Sequence, residues 1–181
     1  MRRAQLEHVI RAASGITGAT ELVIIGSQAI LGHFPSPPDS LCVSMEADVF
    51  TFRDPADADL IDGCIGEGSP FHQTFGYYAH GVSEETAILP ECWKQRLVRL
   101  QNENTGTGVG LCLEMHDLTV AKLMAGREKD FDFVAELLRH RLVKPEIILQ
   151  RLEATSVDDA RRSLCRDRLK RLSVVGERSK E

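Results

Sequence analysis

No stretch of the 181 residues holds 18 consecutive apolar side chains, so no segment has the length and apolarity of a membrane-spanning helix. The start, Met1 to His8, turns polar before the apolar core of a signal peptide could form. The chain is therefore expected to be soluble and cytoplasmic, with no membrane partner. Cysteine is too scarce and too scattered for a framework. The five (Cys42, Cys64, Cys92, Cys112 and Cys165) are odd in number and form no CxxC pair, which excludes a disulfide scaffold and a zinc ribbon. They read as small buried apolar residues. Positive charge is also in deficit: a net charge of -5 and a pI near 5.7 argue against coating nucleic acid by bulk electrostatics.

The charge is unevenly distributed. Residues 151 to 181 carry nine Lys or Arg against six Asp or Glu, a net +3, and residues 1 to 150 carry -8. An acidic body suits metal binding. A basic tail is either a solvated amphipathic helix or a surface for RNA or an acidic partner. With 43% hydrophobic residues the chain can bury one substantial core. The expected organisation is an α/β core over 1–116 and a helical region over 117–181, packed together as one compact unit.

Leu6, Val9, Ile10 and Ala13 fall at helical spacing, and Ser14-Gly15 reads as the stop. Glu21 to Ile25 is a short β-branched run breaking at Gly26-Ser27, the pattern of a buried strand entering a loop. Gln28 to Leu31 can open a short helix. Three prolines within Pro35 to Pro38 then impose a rigid loop. Val43 to Phe52 alternates polar and apolar positions as a second strand. A helix is expected over 57–66, followed by an aperiodic stretch from Gly66 to Gly81. Further strand candidates are Thr86 to Leu89, Leu97 to Gln101 and Val109 to Met115.

From Asp117, read as an N-cap, the period becomes helical. Helices are expected to Ala125, from Glu128 to His140, from Lys144-Pro145 to Leu152, and from Val157 to Leu172, with Gly126 breaking the first. The fold class is α+β, a mixed sheet flanked by helices with a C-terminal helical bundle.

Two positions apart on a strand, Glu46 and Asp48 share a face, with Met45, Ala47 and Val49 expected beneath. Paired carboxylates repel unless a cation lies between them, and hard oxygen ligands suit Mg²⁺ or Mn²⁺. The turn supplies a complement. Gly26 permits close backbone approach, Ser27 offers a hydroxyl, and the amides opening the next helix can face phosphate oxygens. Taken singly, a Gly-Ser turn is common and an acidic pair is more often a solvated strand face; their order and spacing give the combination its meaning.

Ile24-Ile25-Gly26-Ser27 followed by Met45-Glu46-Ala47-Asp48-Val49 resembles the signature of the nucleotidyltransferase superfamily. A second block, Asp117 to Asp132, is similar to the Lys-Leu-x-Ala-x-Arg-x-x-Asp pattern of abortive-infection and toxin-antitoxin nucleotidyltransferases, here Lys122, Leu123, Ala125, Arg127 and Asp130. The resemblance reaches to about residue 152. It implies that Glu46 and Asp48 bind metal, that Gly26 and Ser27 bind the triphosphate, and that Lys122 neutralises phosphate charge. It further implies that Asp130 positions Lys122 or Arg127 or assists the acceptor. Ser in the second turn position, Glu as first acid and the long proline spacer depart from the commoner pattern.

Many enzymes of this fold add a third carboxylate. Glu114 is the candidate here, with an ordinary strand-end charge as the competing reading. Spacing alone accounts for Lys122, Arg127 and Asp130 as an exposed helix with local pairs. The implied activity moves a nucleotide from a nucleoside triphosphate onto an RNA, protein or small-molecule acceptor, and the resemblance further implies a cognate toxin or antitoxin partner. A catalytically silent module that binds a nucleotide or masks a partner is the alternative. Phe71 to His80 reads either as a base-stacking loop or as a satellite hydrophobic cluster. His72 and His80 lack a cysteine at zinc-ligand spacing, and Trp93 reads as a packing residue.

Overall fold

A computed structural model describes residues 1–178, with side chains described to residue 174. The chain divides into two compact units. The first is Met1–Thr86 with Leu97–Leu113, and the second is Ala87–Arg96 with the residues from Glu114 onward.

The first unit is built on a five-stranded mixed sheet in the order β3-β2-β1-β5-β4. The strands are β1 (Glu21–Ile24), β2 (Glu46–Phe50), β3 (Tyr78–Gly81), β4 (Val98–Leu100) and β5 (Val109–Cys112). β1 runs antiparallel to β2 and parallel to β5, and β2 runs parallel to β3. α1 (Arg3–Thr17) carries Leu6, Val9, Ile10 and Ala13 on its buried face. It continues past Ser14-Gly15 and ends at Gly18. α3 (Asp57–Ile65) packs on β2, β3 and α1. Gly26 leads into a short 3₁₀ turn and then α2 (Ile30–His33).

The stretch from Gly66 to Gly81 proves regular. It forms α4 (Pro70–Phe75), with Ser69 as N-cap accepting from the His72 amide, and then β3. Its aromatic residues divide by face. Phe71, Phe75 and Tyr77 pack around His8, with ring centroids 4.7–6.0 Å from the histidine. This is the satellite cluster. Thr86 to Leu89 is not a strand; Glu84–Thr86 is a 3₁₀ turn, and Pro90 follows too closely for a ladder to extend. Met45 precedes β2 and is exposed rather than packed beneath it. All five cysteines are free; Cys42, Cys112 and Cys165 are buried, whereas Cys64 and Cys92 are exposed.

The second unit holds α5 (Met115–Ala125), α6 (Glu128–Arg139), α7 (Pro145–Glu153) and α8 (Asp159–Arg178). The N-cap of α5 is Glu114, not Asp117. The Glu114 carboxylate accepts from the amides of His116 and Asp117 and pairs with His116 Nδ1 at 2.7 Å. The other imidazole nitrogen, Nε2, accepts from the Lys144 amide, so one histidine ties the start of α5 to the N-cap of α7.

Asp117 is fully buried inside the same unit. Arg96 grips it with two hydrogen bonds of 2.8 and 3.0 Å, and Arg151 adds a contact at 3.3 Å. Together with the bond from the Glu91 amide to the Ala154 carbonyl, these contacts bind the Ala87–Arg96 segment to the helices. Trp93 is buried in that segment. Among the described residues no helix is long and apolar enough to cross a membrane.

Gly126, at φ +69°, ends α5 in the left-handed conformation that glycine adopts without steric cost. The reversal brings Lys122 and Arg127 onto one carboxylate. Asp130, fully buried, accepts from Lys122 Nζ at 3.1 Å and from Arg127 Nε at 2.7 Å, and Lys122 lies 4.6 Å from the centre of the Phe133 ring.

Burial pushes the Asp130 carboxyl up, but the Arg127 hydrogen bond and the Lys122 charge outweigh it and hold the pKa below the usual carboxylate value. A depressed folded-state pKa contributes stability that is fully present above the unfolded value, about 3.9, and is lost as pH falls through the folded one. Asp130→Ala should therefore loosen α5 and α6 by about 3 kcal/mol near neutral pH, because it leaves the buried Lys122 ammonium unpaired beside a cavity, whereas the largely exposed Arg127 stays solvated. Hydrogen exchange of the α5 and α6 amides checks this, and the difference from wild type should shrink as the pH is lowered below about 4.

Candidate active site

The register of the parallel pair β2/β3 sets Glu46 opposite Tyr78, and Asp48 opposite His80. Alternation along both strands then puts these four side chains on one face, while Ala47, Val49 and Ala79 are buried on the other, the side on which α3 packs. The Gly81 amide donates to Asp62 Oδ1 of α3 at 2.7 Å, which fixes the end of β3 against that helix.

Contacts across the polar face are close. Tyr78 Oη donates to Glu46 Oε2 at 2.8 Å; His80 Nδ1 lies 3.3 Å from Asp48 Oδ1 and 3.6 Å from Glu46 Oε1. One ligand atom from each of Glu46, Asp48 and His80 falls within 4.8 Å of the others, a set with the donor chemistry and convergence to hold a divalent cation.

Burial, followed by the charge of Glu46, pushes the Asp48 carboxyl above its ordinary pKa, and His80 draws it back only in part. A cation between the two acids would relieve that repulsion. Burial and the bond to Glu46 push the Tyr78 phenol up to about 12, so it stays protonated and remains a donor.

The glycine turn lies against the same acids. A Cβ built on Gly26 would fall 1.9 Å from Asp48 Oδ2, so the close approach that requires glycine is the approach of the Asp48 carboxylate itself. The Ile25 amide donates to the Asp48 carbonyl at 3.2 Å, and the fully buried Gln28 donates through Nε2 to the Ser44 carbonyl at 3.0 Å. These two bonds lock the segment around the Gly26-Ser27 turn to β2 and to the residues just before it. Ser27 opens the 3₁₀ turn beside it. A cleft of about 280 Å³ is lined by Glu46, Asp62, Glu67, Tyr78, Ala79 and His80.

Of the residues singled out in the sequence, Gly26, Ser27, Glu46 and Asp48 come together in the first unit. Lys122, Arg127 and Asp130 come together in the second, as the ion-paired joint between α5 and α6, and Glu114 caps α5. Sequence reasoning set His80 aside as a zinc ligand and joined neither His80 nor Tyr78 to the acidic pair. The available signal was the alternation Tyr78-Ala79-His80-Gly81 directly after Gly76, a four-residue strand pattern hidden among aromatics.

A family model described as a nucleotidyltransferase of unknown function (DUF6036) matches residues 4–174. No curated protein and no solved structure matches the chain. The match spans nearly the whole sequence, so the chain belongs to that family, and its mixed sheet flanked by helices is consistent with a nucleotidyltransferase-like fold.

Gly26→Ala tests the coupling of the turn to the acid. The Asp48 side chain must rotate away, at a cost of about 1 to 3 kcal/mol in stability. The variant should stay folded by circular dichroism while its affinity for Mn²⁺, followed by calorimetry, falls well below that of wild type.

Proposed function

We propose that this member of the nucleotidyltransferase family is an active, divalent-metal-dependent enzyme that moves a nucleoside monophosphate from a nucleoside triphosphate to an acceptor hydroxyl or amine. The observation that carries this reading is the convergence of Glu46 and Asp48 on one sheet face, locked directly to the Gly26-Ser27 turn. The acidic pair on β2 and the turn that follows β1 would supply the metal-binding and triphosphate-binding halves of such a site.

In this reading the Glu46 and Asp48 carboxylates hold Mg²⁺ or Mn²⁺, which when bound neutralises triphosphate charge and makes the acceptor group easier to deprotonate. Tyr78 orients Glu46 through its hydrogen bond. Gly26 and Ser27 face the triphosphate through backbone amides and the Ser27 hydroxyl. The acceptor occupies the neighbouring cleft, whose Asp62 and Glu67 favour a neutral or cationic group there over a phosphate. The bond from the acceptor oxygen or nitrogen to the α-phosphorus forms as the bond to the bridging oxygen breaks, and pyrophosphate leaves. The ionised Asp48 carboxylate would accept the acceptor proton, and burial with the neighbouring Glu46 charge raises its affinity for that proton.

Lys122, Arg127 and Asp130 serve in this reading as a structural joint, and Glu114 as a helix cap, rather than as groups that touch phosphate. The likeness of the 117–132 block to abortive-infection and toxin-antitoxin enzymes supports work beside a cognate partner, with RNA, a protein or a small molecule as acceptor.

Asp48→Asn keeps the shape of the side chain and removes its charge. Incubation with each α-labelled nucleoside triphosphate, Mg²⁺ or Mn²⁺, and cellular RNA and protein should give label transfer by wild type. The variant should lose at least about a hundredfold in rate, the scale of losing one general base, with little change in thermal stability. Unchanged transfer would remove Asp48 from the chemistry. Saturable nucleotide binding with no transfer by wild type would instead identify a silent binding module.

A further inference from the structure

His80 differs from the other members of the cluster in one chemical respect: it offers nitrogen. It projects from β3 directly opposite Asp48, and its Nδ1, rather than the outer Nε2, is the atom turned toward both carboxylates. The spacing matches a shared ion. Adjacent ligands of an octahedral ion with bonds of 2.0–2.1 Å stand roughly 3 Å apart. The separations of 3.3 and 3.6 Å from Nδ1 to Asp48 Oδ1 and Glu46 Oε1 are close to that edge before any contraction. Tyr78 already takes the other Glu46 oxygen, Oε2, leaving Oε1 on the side of the histidine.

We propose that His80 Nδ1 is the third protein ligand of the cation, and that this nitrogen makes the site select Mn²⁺ over Mg²⁺. This deepens the metal-dependent reading above and rests on it. Mg²⁺ is a hard ion that favours oxygen ligands and gains little from imidazole, whereas first-row transition ions bind imidazole well. Two carboxylate oxygens and the phosphate oxygens of a nucleotide keep the site hard enough for Mn²⁺, the least thiophilic end of that row. Three protein atoms on one side of the ion leave positions open toward the cleft lined by Glu46, Tyr78 and His80.

The test uses the full chain and metal alone, without nucleotide, whose base nitrogens would confuse the signal. Calorimetric titration with Mn²⁺ and with Mg²⁺ gives the preference, and pulsed electron paramagnetic resonance of the Mn²⁺ complex reports a nitrogen bound to the ion. His80→Asp is the decisive variant, because an aspartate oxygen stands one bond from Cγ, as Nδ1 does, and converts the set to three carboxylates. Both His80→Asp and His80→Ala alter a half-exposed side chain and should fold normally.

Wild type should bind Mn²⁺ at least about tenfold more tightly than Mg²⁺. It should show nitrogen modulation that changes isotope character when histidine is labelled with ¹⁵N. His80→Asp should abolish the modulation and bring the two affinities together; His80→Ala should abolish it and weaken Mn²⁺ binding. Mn²⁺ binding without nitrogen modulation, or an unchanged metal ratio in His80→Asp, would overturn the histidine ligand and leave the two-carboxylate site standing. Failure of wild type to bind either metal would overturn both.

Discussion

Everything at the candidate site depends on holding two carboxylates side by side on β2. Left in water they would simply be solvated, but Asp48 is partly buried and lies against the Gly26 backbone, so burial first and the Glu46 charge second disfavour its ionised form. The first unit meets this cost with local donors. Tyr78 satisfies one oxygen of Glu46, and His80 sits within reach of both acids. That neither donor is an Arg or Lys is informative: a fixed cation at this point would form a finished ion pair and close the site, whereas a phenol and an imidazole leave the charge available. The parallel register of β2 and β3 is what delivers both donors at once.

The second unit uses carboxylates in the opposite way. Asp117 and Asp130 are fully buried, and each is surrounded by cations of its own unit, Arg96 and Arg151 for one and Lys122 and Arg127 for the other. A buried, paired and hydrogen-bonded carboxylate adds little net stability over an apolar replacement, but removing one partner of the pair is costly. The same residue type thus supports two tasks, distinguished by whether its partners are permanent.

Much of this was legible in sequence. The α+β class, the Gly26-Ser27 turn, the shared face of Glu46 and Asp48 and the break at Gly126 follow from periodicity and glycine chemistry, which are local. The misreadings are equally physical. β3 is only four residues long and follows an aromatic segment that also builds the His8 cluster, so its alternation was masked. His80 acquires its neighbours from the β2/β3 pairing, a contact 32 residues apart that no local pattern encodes. Glu114 read as a strand end because β5 stops at Cys112 and the helix begins immediately, which leaves the glutamate to serve as cap. The pairing of Lys122 and Arg127 with Asp130 required a reversed chain between them, and the resemblance flagged the residues while only the fold supplied their geometry.

The central claim is that the face shared by β2 and β3 is where metal and nucleotide meet. Crystals grown with Mn²⁺ and a non-hydrolysable nucleoside triphosphate, measured at the manganese absorption edge, test it most directly. The account predicts an anomalous peak bounded by Glu46 and Asp48, with the triphosphate running to the Gly26-Ser27 turn. A nucleotide bound elsewhere, or manganese absent from those carboxylates in a nucleotide-loaded crystal, would contradict it.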